Sequence, residues 1–135
     1  MRSAFIVYSV LVCALNANPL FAKPVADAAS AGSAHHFSGM ADYYHHKLYG
    51  QKTASGEVLK KEKMTAAHRT LPFGTRVKVT NRRSGRSCVV VINDRGPFTK
   101  GKVIDLSHAA AHHLGVIEAG TSLVACTVLP NEEED

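Results

Sequence analysis

Cys88-Val-Val-Val-Ile-Asn-Asp-Arg-Gly-Pro97 decides how the rest of the chain is read, because a run of β-branched residues stops abruptly at an acid, a base and a turn. A strand this apolar belongs in an interior, so Asp94 and Arg95 lie where a rigid element meets solvent. Val103-Ile104-Asp105-Leu106-Ser107 repeats the pattern, delivering a second carboxylate just ahead of a helix.

Outward from this stretch the signals are mostly short strands. Arg76 to Thr80 places Val77 and Val79 on one face, and Asn81-Arg-Arg-Ser-Gly85 links it to Ser87–Asn93 with hairpin-turn composition. Further strands are predicted at Met40–Tyr44, Met64–Ala67, Val103–Leu106 and Leu123–Leu129. One short α-helix is predicted: Ser107 caps it, Ala109 to Ala111 favour it and Gly115 ends it. Six short strands and one helix predict a mainly β fold, a small closed barrel that hides its edges and fills its interior with Val, Ile and Leu.

Arg2 precedes an apolar run from Ala4 to Leu15 that is too short to span a bilayer but matches the hydrophobic region of a secretory signal peptide. Residues 1–22 are read as that signal, cut after Leu20-Phe21-Ala22, with Ala26 and Ala28 as alternative sites. The protein is therefore expected to be exported, periplasmic or secreted. Cys13 offers the alternative of an outer-membrane lipoprotein, but Val12 before it is larger than the small residue such a site needs. Residues 23–38, rich in Ala, Ser and Gly without hydrophobic periodicity, read as a flexible leader. The domain then spans 39–130 and an acidic tail follows at 131–135.

Beyond the signal, Cys88 and Cys126 each fall in a predicted strand. A disulfide between them would add roughly 3 to 4 kcal/mol by the chain-entropy model. Two buried free thiols fit the sequence equally well, since the separation of the Cα atoms decides.

The net charge of +5 is spread from Lys47 to Lys102. There is no Trp and no alternation of aromatic with basic residues, so a nucleic-acid surface is a poor reading. An anionic polymer outside the cytoplasm suits the charge better. The adjacent pairs His35-His36, His45-His46 and His112-His113 point in different directions. His108 and His112 share a helical face but lack a Cys or acidic partner at zinc spacing, so no metal and no cofactor are expected. A monomer is expected.

Four titratable residues stand at the ends of elements: Glu57 after a glycine-containing turn, His68 after a short apolar strand, then Asp94 and Asp105. Strand ends of a barrel can converge on one rim. Each residue also has an ordinary structural use, as an exposed acid, a packed imidazole, an ion pair or a turn former.

Ala41-Asp-Tyr-Tyr44, Gly50-Gln-Lys-Thr-Ala-Ser-Gly-Glu57, Thr65-Ala-Ala-His-Arg-Thr-Leu-Pro-Phe-Gly-Thr75, Val77-Lys-Val-Thr-Asn81, Ile92-Asn-Asp-Arg-Gly-Pro-Phe98 and Ile104-Asp-Leu-Ser107 together resemble the rare lipoprotein A (RlpA-like) family. The resemblance runs in order from about Gly39 to Leu129. It implies a six-stranded double-psi β-barrel and an endolytic peptidoglycan lytic transglycosylase, a lyase preferring glycan strands stripped of stem peptides. It also implies that Glu57, His68 and Asp94 match the family's polar site. Asp105 matches in type a second acid of other glycan-handling double-psi barrels, including endoglucanases and expansin-like modules. The chain departs from fuller family members in lacking the C-terminal glycan-binding repeat domain, so the resemblance does not carry septal targeting over to it.

The chemistry can be set out beside the resemblance. Glycosidic cleavage needs a proton for the leaving oxygen and stabilisation of positive charge at the anomeric carbon. In a lytic transglycosylase the 6-hydroxyl of the muramic acid closes on that carbon and leaves a 1,6-anhydro product. One carboxyl group can act first as acid and then as base, a role for Asp94 or Asp105. The other carboxylates hold hydroxyls or stabilise charge, and His68 orients or tunes the acid. Arg95 is expected to bind the lactyl carboxylate of a peptide-free muramic acid. Tyr43 and Tyr44 are expected against sugar faces or packed in the rim, with Thr53 completing the substrate-binding set. The alternative function is a noncatalytic, expansin-like wall-binding or wall-loosening module.

Overall fold

The alternations of Val and Ile with polar residues become strands whose branched side chains share one interior. Val77 and Val79 of β3 (Arg76–Asn81), Val90 and Ile92 of β4 (Ser87–Asp94), and Ile104 and Leu106 of β5 (Lys102–Leu106) are fully buried there. Val124 and Cys126 of β6 (Ser122–Val128) join them, and β1 (His36–Tyr43) and β2 (Thr65–Ala67) contribute Ala41 and Ala66. The computed structural model describes residues 34–132. The predicted signal peptide and its cleavage sites, Cys13, most of the predicted leader and the end of the acidic tail lie outside the described residues.

The strands close in the order β1-β5-β2-β4-β3-β6, with β6 returning to β1, so every strand has two partners. A closed sheet leaves no free edge. β1 runs parallel to β5 and β2 parallel to β4, while the remaining pairs are antiparallel. β5 and β2 overlap only at their C-terminal ends, where Ala66 faces Leu106 and Ala67 faces Asp105. The two parallel pairs thus abut at the point where both deliver carboxylates.

The predicted helix is α1 (His108–Leu114), capped by Ser107 Oγ, which accepts from the Ala110 amide at 3.3 Å, and closed by Gly115 at φ 76°. Its Ala110, Ala111 and Leu114 are buried in the core. A second turn, α2 (Val116–Ala119), follows between Gly115 and Gly120 and carries too few residues to show a helical period in the sequence. The β3–β4 hairpin turns through Gly85 at φ 78°. It is tied to α1 by Asn81, whose buried amide donates to the Leu114 carbonyl at 2.7 Å.

β1 begins at His36 rather than at Met40, because Phe37 and Ser38 pair with Cys126 and Ala125 of β6. The segment read as leader carries no apolar alternation of its own there, so its strand is dictated by the partner. Cys88 and Cys126 are both free. Both are in register with Val79, one on each side of β3. Two strand spacings of about 4.8 Å separate them, beyond the roughly 7 Å that a bridge tolerates. Adding a reducing agent is therefore expected to leave the chemical denaturation midpoint unchanged, and a fall on reduction would reveal a bridge.

Candidate active site

Strand register brings the site together. Asp42 of β1 faces Asp105 of β5, Asp105 faces Ala67 of β2, and Ala67 faces Asp94 of β4. One row thus crosses four neighbouring strands and carries three carboxylates. Ala41, Ala66, Ile104 and Leu106, which alternate with row members, point into the core. The row therefore lies on the outer face of the barrel. Ala67 is fully buried but outside the core cluster, so between Asp105 and Asp94 the row carries only a methyl group.

Asp94 joins this row because of a register shift. Ala66 pairs with Ile92 and Ala67 with Asp94, which leaves Asn93 as an extra residue. Strict alternation from the inward Ile92 would send Asp94 inward too. A bulge re-aims the side chain. A similar shift beside Met40 and Ala41 leaves Val103 unpaired on β5.

Asp94 is held entirely by donors. Tyr44 Oη donates to Oδ2 at 2.7 Å, and the Ala54 and Arg95 amides donate to Oδ1 at 2.9 Å each. Burial, the bond to Asp94 and the negative charges of Asp94 and Asp105 push the Tyr44 phenol far above its ordinary range, so it stays a donor. Burial first, then the charge of Asp42 and, more weakly, that of Asp94 raise the Asp105 carboxyl to about 6 against the opposing charge of Lys102. Lys102 pairs with Asp42.

The Thr53–Glu57 turn docks on the end of β4. The Ser55 amide donates to the Asn93 carbonyl at 3.3 Å, and the Thr53 amide to the Glu57 carbonyl at 2.8 Å. Asn93, only 3 % exposed, donates from Nδ2 to Glu57 Oε2 at 3.1 Å. Glu57 thus adjoins Asp94 along the chain of β4. Thr53 Oγ1 lies 2.9 Å from Ser55 Oγ and lines a small cavity of about 70 Å³ with Tyr44, Leu59 and Asp94.

His68 is connected to this cluster by its backbone alone, its amide donating to the Asp94 carbonyl at 3.1 Å. Its Nδ1 accepts from the Thr70 and Leu71 amides at 3.1 Å each, and its ring packs 4.9 Å from that of Phe37. Among the described residues it makes no hydrogen bond to either aspartate expected to receive its help. Burial lowers its pKa, with the charges of His35, Arg95 and Arg69 acting the same way. By accepting from two successive amides, Nδ1 fixes the turn that follows β2.

The Arg95 guanidinium donates to the His68 and Leu71 carbonyls at 3.2 and 2.8 Å and lies 4.0 Å over the Phe73 ring. It braces the loop after β2 instead of projecting toward the row. Tyr43 packs against the core, and Tyr44 is occupied with Asp94. Asp42, Asn93 and Lys102 were not singled out by sequence reasoning. Asp42 was detectable as the one charge in Ala41-Asp-Tyr-Tyr44, but its importance depends on pairing with Asp105. A cavity of about 610 Å³ between Arg83, Arg86 and Glu118 shares no residue with the carboxylate row.

A row of acids of this kind can serve proton transfer and charge stabilisation. A family model described as lytic transglycolase matches residues 30–126. A Nostoc protein named probable endolytic peptidoglycan transglycosylase RlpA is 58 % identical over 95 residues, covering 69 % of this chain and 26 % of the relative. The Vibrio cholerae protein named endolytic peptidoglycan transglycosylase RlpA is 51 % identical over 92 residues, covering 68 % and 35 %. The chain spans between a quarter and a little over a third of the length of these relatives. The crystal structure of a Clavibacter michiganensis expansin superposes with a TM-score of 0.58 at 18 % identity, covering 74 % of this chain and 53 % of that one, a likeness of fold.

Asp105 binds its proton more tightly in the folded protein than a free carboxyl does. Stability is accordingly expected to fall as pH rises from about 4 to about 6 and then to level off, since the native state alone holds the extra proton in that window. Asp105→Asn should flatten this part of the profile and be the more stable protein above pH 6, as read by denaturation midpoints across pH. Equal slopes in the two proteins would remove Asp105 as the titrating group.

Proposed function

Because the chain belongs to the lytic transglycolase family of double-psi β-barrels, we propose that it is an endolytic peptidoglycan transglycosylase that cuts peptide-free glycan strands to 1,6-anhydromuramyl products. The observation that carries this reading is the asymmetry of the carboxylate row: burial lifts one acid to about 6, while its neighbour is surrounded by donors. An acid raised in this way beside a carboxylate fixed by donors can divide proton transfer from charge-stabilising work.

In this reading Asp105 donates its proton to the leaving glycosidic oxygen as the C–O bond breaks. Asp94, fixed by Tyr44, Ala54 and Arg95, faces the positive charge that develops at the anomeric carbon. The muramic acid 6-hydroxyl then attacks that carbon, and Asp105, now a carboxylate, takes the hydroxyl proton. Protons balance, and no water is consumed. Glu57, held by Asn93, accepts from sugar hydroxyls at the edge of the site. Arg95 and His68 act as positioning residues, because their polar atoms are engaged with the loop after β2. The basic surface draws in an anionic wall polymer, and export through the N-terminal signal would bring the protein to it.

The test is incubation with amidase-stripped glycan strands, followed by mass spectrometry. Anhydromuramyl ends are expected, and the rate should fall as pH rises through about 6. Asp105→Asn should lower kcat by roughly 10² to 10⁴, the ordinary worth of a general acid. Binding of strands without such products would favour the wall-binding module instead. An Asp105→Asn protein that cuts at the parent rate would shift the proton to another acid.

A further inference from the structure

Phe98 is 80 % exposed, the most exposed large apolar side chain among the described residues. A loose loop does not explain it. Arg69 reaches beneath the segment and donates to the carbonyl of Pro97, to that of Thr99 at 3.1 Å and to that of Lys102 at 2.9 Å. The residues on both sides of Phe98 are thereby tied down while the ring is held outward.

The ring stands beside the acid row. A Cβ placed on Gly96 would lie 3.7 Å from Asp105 Oδ2 and 3.7 Å from Phe98 Cε2, so carboxylate and ring are no farther apart than twice that distance. Gly96 leaves the space between them free of side chain. The other aromatics near the row are occupied: Tyr44 with Asp94, Tyr43 with the core and Phe73 beneath the Arg95 guanidinium.

We propose that Phe98 is the stacking platform for the pyranose ring next to the scissile bond, with Gly96 as the open floor between that platform and Asp105. The inference rests on the glycan-cleaving reading above and adds the residue that orients the sugar. The C–H face of a pyranose carries slight positive charge and meets the negative face of the aromatic ring, while its hydroxyls remain at the perimeter for the carboxylates. A platform already clamped by Arg69 loses little freedom when the sugar arrives.

The decisive measurement is binding of labelled, amidase-stripped glycan strands in an Asp105→Asn background, which suppresses turnover. Phe98→Ala is expected to weaken binding roughly threefold to tenfold, and Phe98→Trp to keep it. In the active protein the loss should appear in KM, with the thermal midpoint unchanged because the ring is 80 % exposed. If the parent binds strands and Phe98→Ala binds them equally well, the platform is refuted and the proposed function stands. If the parent neither binds nor cuts strands, the glycan reading fails and takes the platform with it.

Discussion

Asp42 and Asp105 face each other across neighbouring strands, where like charges repel at short range. Lys102 pairs with Asp42, and burial together with the charge of Asp42 lifts the Asp105 carboxyl to about 6. A raised acid thus arises from two ordinary facts, burial first and a neighbouring charge second. Neither would suffice on an exposed strand, where water would screen the two charges.

The outer face of the barrel is the right place for this arrangement. The interior is filled by Val, Ile, Leu and Cys and has no room for charge. A carboxylate on the outer face still loses enough water to shift its titration when loops lie over it. Two irregularities make the row possible, Asn93 on β4 and Val103 on β5. Asn93 is both the inserted residue that re-aims Asp94 and the donor that holds Glu57, so one backbone irregularity sets two acids. The Thr53–Glu57 turn then closes against β4 through main-chain bonds, which fix geometry without adding charge.

The strands and α1 were legible because alternating Val and Ile, a Ser cap and a terminating Gly are local signals. The early start of β1 was hidden, since His36 to Ser38 are extended by their partner and not by their own pattern. Asp94 and Asp105 could be read as acids delivered by apolar strands. Their common row could not, because it depends on an antiparallel contact between β2 and β5 that only the closed topology creates. His68 and Arg95 were legible as residues near the site, but the contacts they make with the loop after β2 were not. Each directly follows a row member in the chain, so the pleat turns it away from the face its neighbour occupies. Lys102 was invisible as a site residue because spacing alone does not show that an unpaired Val103 lies between it and Ile104.

Val79 separates the two thiols of the barrel by a full strand on either side. Closure of the sheet therefore involves no oxidation step, and the last strand has only to find the first. Among the described residues, folding needs no oxidant or disulfide isomerase, and reductants have no bond to break. The durability of the barrel comes from shape, from branched side chains packed inside a cylinder that has no loose edge.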